Sequence, residues 1–188
     1  MILYLHGFRS SPKSFKARLL REFFQARGDA ELFQCPQLPV SPKEAMRIAR
    51  DLCRAVPAAE LALIGSSLGG FYATALAEEF GCRAVLLNPA ITPARDLNKH
   101  VGVQRAWHSD EMLDFRPDYV DELAPIACER ITRPERYFLI AATGDEVLDW
   151  RQMVAHYPGA VHKVIEGSDH GLSDFAQYID EVVEFCSR

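Results

Sequence analysis

The pentapeptide Gly65-Ser66-Ser67-Leu68-Gly69 constrains this chain most, because it lies between the apolar run Leu61 to Ile64 and the helical pattern Phe71 to Phe80. A Gly-x-Ser-x-Gly sequence between strand and helix forms a sharp turn that holds its serine in strained backbone geometry, and its glycines let strand and helix approach. Ser67 is therefore the candidate nucleophile. Gly65 and Gly70 also have the spacing of a phosphate loop, but Phe71-Tyr72 stand where Lys-Ser/Thr is required. The chain contains neither Gly-x-Gly-x-x-Gly nor His-Glu-x-x-His, so no cofactor and no metal is expected.

Strand and helix patterns alternate on either side of this turn. Ile2 to Leu5 reads as a buried strand ended by His6-Gly7. Ser11-Pro12 then opens a helix carrying Phe15, Leu19, Leu20, Phe23 and Phe24, which Gly28 stops. Ala30 to Gln34 is a weaker strand, followed by a loop through Pro36, Pro39 and Pro42 and an amphipathic stripe from Ala45 to Val56. Further strands are expected at Leu61 to Ile64, Ala84 to Leu87, Tyr137 to Ala142 and Val161 to Ile165. Helices are expected at Trp150 to Tyr157 and from Phe175 to Cys186. Such alternation predicts an α/β fold with a mostly parallel sheet covered on both faces. Residues 89–134 are rich in charge and proline and show no obvious strand. They read as a small helical cap inserted into a single domain spanning 1–188.

An activated serine needs a base, and six histidines are available. Functional side chains in open parallel sheets gather at the carboxyl ends of strands, and His170 lies in Glu-Gly-Ser-Asp-His-Gly directly after the last strand. Asp145 follows the preceding strand through Thr143-Gly144 and is favoured as the carboxylate that orients the imidazole. Asp149, the alternative, reads as the cap of the helix starting near Trp150. Nucleophile, acid and base in the order Ser67, Asp145, His170 match the α/β-hydrolase order. His6-Gly7-Phe8 after the first strand suits the loop that donates one oxyanion N–H, so the donors would be the backbone amides of Phe8 and Leu68. The His6 imidazole would brace that loop.

With 21 Lys+Arg against 26 Asp+Glu, the net charge of −5 offers no field for nucleic acid. Five scattered cysteines without a Cys-x-x-Cys pair read as reduced core thiols. MILYLHGF has no basic leader or cleavage site, and the apolar stretch Leu61 to Ala77 is broken by glycines. A cytoplasmic protein with no membrane partner is expected; oligomeric state is left open. Lys13, Lys16, Arg18 and Arg21 read as a solvated basic face of the first helix. The alternative is that Arg9, Lys13, Lys16 and Arg18 anchor an acidic substrate tail, such as phosphate on a thioester carrier, with Arg9 and Arg18 the candidates for substrate contact.

Several blocks together resemble the YqiA-like branch of α/β-hydrolase esterases. They are Tyr-Leu-His-Gly-Phe at 4–8, Ser-Ser-Pro at 10–12, Gly-Ser-Ser-Leu-Gly-Gly-Phe-Tyr-Ala-Thr at 65–74 and Asn-Pro-Ala at 88–90. Thr-Gly-Asp-Glu-Val-Leu-Asp at 143–149, Arg-Gln at 151–152 and His170 complete the set. The resemblance covers nearly the whole chain and implies a small hydrolase with Ser67, Asp145 and His170 as triad and esterase or thioesterase activity. Because the oxyanion loop already follows the first strand, a reduced sheet of about six strands in the order 2-1-3-4-5-6 is expected, without the two leading antiparallel strands of the full fold. The reading is a serine hydrolase of small acyl esters, with an acyl thioesterase using the same triad as the near alternative. A catalytically idle fold serving as a binding module is the alternative of another class.

Overall fold

Apolar residues alternating between two faces build the central sheet of the protein, whose computed structural model describes residues 1–187. The chain begins with β1 (Ile2–Leu5), α1 (Phe15–Ala26), β2 (Phe33–Gln34), α2 (Pro42–Arg54), β3 (Ala62–Ser66), α3 (Leu68–Phe80) and β4 (Arg83–Leu87). It continues through α4 (Pro93–Leu97), β5 (Gly102–Arg105), β6 (Met112–Phe115) and α5 (Pro117–Asp121). The last elements are β7 (Tyr137–Ala142), α6 (Trp150–His156), β8 (Val161–Ile165) and α7 (Ile179–Ser187).

Six strands form one sheet in the order β2-β1-β3-β4-β7-β8, every neighbouring pair parallel. Counting only these strands, this is the 2-1-3-4-5-6 order expected above. Leu3, Leu5, Leu63, Leu86 and Leu139 face the core shared with α2, α3 and α6. Ile2, Tyr4, Ile64, Val85 and Phe138 face the core shared with α1 and α7. Each such side chain contributes roughly 1.5–3 kcal/mol on burial, and the resulting rigid sheet fixes the loops at its carboxyl end. No helix among the described residues is long and apolar enough to cross a membrane.

The first helix differs from its expected form in a way that matters for the site. Its N-cap is Ser14, and Ser11-Pro12 form a preceding turn in which the Ser14 N–H donates to the Ser11 carbonyl at 3.0 Å. Lys16, Ala17, Leu20 and Phe24 form the buried face. Residues four apart share a helix face, so Lys16 follows Leu20 and Phe24 inward instead of joining the solvated basic side. The expected strand Ala30 to Gln34 shrinks to two residues because Ala30–Leu32 make a 3₁₀ turn. At the carboxyl end, a 3₁₀ turn at Phe175–Tyr178 precedes α7.

Residues 89–134 hold the short helices expected of them, and in addition an antiparallel hairpin where no strand is expected. β5 pairs with β6 from Gly102↔Phe115 to Arg105↔Met112. Its apolar residues Val103 and Met112 are 64% and 59% exposed, so the alternation that marks a half-buried strand is absent. Phe115 is the inward exception, fully buried and edge-on to Phe8 with ring centroids 4.9 Å apart. That contact ties the hairpin to the loop after β1.

Candidate active site

Ser67 stands at the junction of β3 and α3 with φ +55° and ψ −120°, a conformation that costs a non-glycine residue roughly 1–3 kcal/mol. Two backbone bonds hold it there: its N–H donates to the Leu87 carbonyl and the Ala90 N–H donates to its carbonyl, both at 3.0 Å. The flanking glycines are sterically required. A Cβ on Gly69 would lie 1.9 Å from the Leu5 carbonyl oxygen, and one on Gly65 would lie 2.3 Å from the Gly69 carbonyl oxygen.

His170, in the loop after β8, joins Ser67 to Asp145. Its Nδ1 lies 2.8 Å from Asp145 Oδ2 and its Nε2 lies 3.0 Å from Ser67 Oγ. The Asp145 side chain is wholly shielded from solvent, and its Oδ1 accepts the Val147 and Leu148 N–H groups at 2.8 Å each. A carboxylate facing Nδ1 puts the ring proton there and leaves the Nε2 lone pair to accept from the serine hydroxyl. Asp149 lies elsewhere: it is the N-cap of α6 and accepts the Arg151 N–H at 3.0 Å.

Three further side chains fix the His170 loop; of these only Lys16 has a role expected from the sequence, in the basic anchor of the first helix, and none is expected at this loop. Asn88, fully buried at the end of β4 with φ +43°, donates through Nδ2 to the carbonyls of Asp169 and His170 at 3.0 and 3.1 Å. Its Oδ1 accepts the Ala142 N–H at 2.8 Å. Glu146 Oε2 accepts the His170 N–H at 3.0 Å, and Lys16 Nζ donates to the Gly171 carbonyl. Asn88→Ala leaves buried backbone groups unpaired, so a loss of about 2–4 kcal/mol in urea-denaturation stability is expected, together with a fall in kcat as the loop loosens. Unchanged stability and kcat would count against this clamp.

Phe8 and Leu68, expected as oxyanion donors, line the same cavity as Ser67. Leu68 is the first residue of α3 and Phe8 follows β1; among the described residues neither amide N–H has an acceptor. Behind Phe8, the buried His6 accepts the Leu38 N–H at Nε2, at 3.0 Å, and donates from Nδ1 to the Gly7 carbonyl, also at 3.0 Å. Both nitrogens are therefore committed only while the ring is neutral. Burial pushes the His6 pKa below the ordinary 6.5, outweighing the Gly7 hydrogen bond that raises it, and His108 adds a smaller push downward. With the folded pKa below the unfolded one, the unfolded state binds the extra proton, so stability is lost as pH falls below about 6.5. His6→Gln, which keeps an acceptor without titrating, is expected to flatten the decline of Tm between about pH 6.5 and 5 relative to the parent protein. Parallel declines would remove His6 from the account.

Arg9 and Arg18 are not brought together. Arg18 is exposed and lies outside the cavity over Ser67. Arg9 reaches that cavity, but its Nε donates to the Arg105 carbonyl at 2.6 Å and its guanidinium sits 4.1 Å above the Trp107 ring, clasping the hairpin. The cavity has a volume of 340 Å³ and contains Ser67 and His170, with Phe8, Leu97, Trp107 and Leu148 among its apolar walls. Phe8 and Leu68 also border a second cavity of 510 Å³, whose lining includes His6, Leu38 and Tyr72. Among the described residues, the non-glycine positions with positive φ are Arg9, Ser67, Asn88 and Leu172. Each is at, or within two residues of, a group named here, as expected where local strain serves a site.

A model of the family described as UPF0227, an uncharacterised protein family, matches residues 1–187. Solved structures with the same fold include mouse alpha/beta hydrolase domain-containing protein 10, at 15% identity and TM-score 0.71, covering 97% of this chain and 89% of that one. Est1E from Butyrivibrio proteoclasticus, solved with ferulic acid bound, is 14% identical with TM-score 0.67, covering 100% and 89%. The monoacylglycerol lipase of Paleococcus ferrophilus is 17% identical with TM-score 0.67, covering 98% and 94%. The sheet and its surrounding helices thus form an α/β-hydrolase fold.

Proposed function

The chain belongs to the UPF0227 family, and from that membership and its α/β-hydrolase fold we propose that it is a serine hydrolase of small acyl esters. The observation that carries this reading is the unbroken chain Asp145–His170–Ser67, with contacts of 2.8 and 3.0 Å at the mouth of a cavity. The esterase and the monoacylglycerol lipase among the structural neighbours agree with it. Residues 89–134 act as a cap within one α/β domain.

In this mechanism Ser67 Oγ attacks the ester carbonyl carbon while His170 Nε2 takes the hydroxyl proton. Asp145 holds the imidazole and stabilises the imidazolium that forms. The carbonyl oxygen becomes an oxyanion that accepts from the Phe8 and Leu68 amides, each worth roughly 10²–10³ in rate. Collapse of the tetrahedral intermediate breaks the bond to the leaving oxygen, which receives the proton from His170. Water, deprotonated by His170, then attacks the acyl-Ser67 ester and releases the acid.

At 340 Å³ the cavity lies at the small end of ligand pockets, and Trp107 and Val147 on its rim are more than half exposed. Short p-nitrophenyl esters, with acyl groups of about two to six carbons, are therefore expected to be hydrolysed better than long ones. Methylenes beyond the walls gain little of the roughly 0.8 kcal/mol each that burial supplies. A kcat/KM series peaking beyond about twelve carbons would overturn this expectation, and no hydrolysis of any ester would overturn the function itself.

A further inference from the structure

Lys16 carries a charge that the reaction above does not use. Only 8% exposed, it lines the Ser67 cavity, and among the described residues its single acceptor is the Gly171 carbonyl. Among the described residues no carboxylate reaches salt-bridge distance of its Nζ. Asp169 and Asp145 act on it from farther away, and their oxygens already receive the N–H groups of Ser173, Val147 and Leu148 and the His170 ring. Burial lowers the Lys16 pKa to about 8 against the pull of those carboxylates, so the group is still largely cationic at neutral pH. Two ammonium N–H bonds remain without an acceptor.

Neighbouring groups add to this excess of donors. The hydroxyl oxygen of Ser14, on the wall of the same cavity, is buried and has no partner at hydrogen-bond geometry; the Tyr4 phenol is its polar neighbour, and the hydrogen-bonding pull of Ser14 on that phenol is the weakest of the influences acting there. Ser14 is the N-cap of the twelve-residue α1 but makes no side-chain capping bond, and the first turn of α1 contains no acidic residue. Free N–H groups and the helix dipole there favour an anion. A desolvated cation, an unpaired hydroxyl and an uncapped helix start converge on one cavity, and a buried charge without a counterion is costly until an anion arrives.

We propose that Lys16, Ser14 and the N-terminus of α1 form a subsite that binds a carboxylate carried by the substrate, so that the preferred substrate is a short ester bearing a second, ionised acid group. The proposal rests on the serine-hydrolase reading and narrows its substrate class. The carboxylate could belong to the acyl part or to the leaving group, and two pairs of esters separate these sources. Mono-p-nitrophenyl glutarate is compared with p-nitrophenyl valerate, and 4-acetoxybenzoate with 4-acetoxybenzamide. On one of the pairs the wild type is expected to favour the acid by about tenfold or more in kcat/KM, the worth of one charge-assisted hydrogen bond. Lys16→Met brings that ratio to about one and Lys16→Arg keeps part of it; any loss common to both esters, from loosening of the Gly171 contact, cancels in the ratio. Ratios near one for both pairs in the wild type, or a preference that survives Lys16→Met, would overturn the subsite while leaving the hydrolase reading intact. If no ester is turned over, the hydrolase reading fails, and calorimetric binding of glutarate to wild type and Lys16→Met decides the subsite alone. Weaker binding to the variant by about tenfold supports it, and equal or absent binding overturns it.

Discussion

Ester turnover falls by at least about 10⁴-fold in Ser67→Ala, while the protein stays folded. The serine residue is half-buried, and among the described residues its hydroxyl makes one hydrogen bond, to His170, so its removal costs little stability. Alanine inherits the same positive φ and the same two backbone bonds at this position, and the turn between β3 and α3 survives. The predicted result is thus a large loss of kcat with a Tm near that of the parent protein. Full turnover in Ser67→Ala would exclude Ser67 as nucleophile, and loss of activity through unfolding would show in circular dichroism.

Asp145→Asn is expected to be almost as damaging, again roughly 10⁴-fold, for a reason that lies in the surroundings of the carboxylate. The Val147 and Leu148 N–H groups at Oδ1 select an oxygen on their side, so the new amide must present its NH₂ to His170 Nδ1. The imidazole proton then shifts to Nε2, where it cannot accept the hydroxyl proton of Ser67. Asp149→Ala, by contrast, removes only the cap of α6, costing about 1 kcal/mol of stability with activity retained. Kinetics and urea denaturation of the two variants side by side check the assignment; a reversal of the two effects would move the acid to Asp149.

The parts of the molecule legible in the sequence are those governed by local sterics and period. Gly65 and Gly69 announce the turn because no other residue fits there, and the short unbroken apolar runs Ile2 to Leu5 and Tyr137 to Ala142 announce strands buried on both faces. Asp145 and His170 are legible because functional groups collect at the carboxyl ends of strands, where both lie. What escaped depends on contacts distant in sequence. Asn88 shows in the sequence only as part of the Asn-Pro-Ala block, since its task is to bind carbonyls more than 80 residues away. Lys16 reads from the sequence as one more cation of a basic helix or as part of an anchor for an acidic tail, and only its i, i+4 relation to Leu20 and Phe24 signals that it turns inward. The β5–β6 hairpin stayed hidden because it exposes apolar side chains and buries just one end against Phe8.

The central claim is that Ser67 is the activated nucleophile, and covalent capture tests it without reference to any particular ester. A fluorophosphonate probe reacts with a serine made nucleophilic by its base, and the adduct can be located by peptide mass spectrometry. The account predicts a single adduct on Ser67, absent from Ser67→Ala and strongly slowed in His170→Ala. An adduct on another residue, or an intact Ser67 in protein that hydrolyses esters at an undiminished rate after probe treatment, would contradict it.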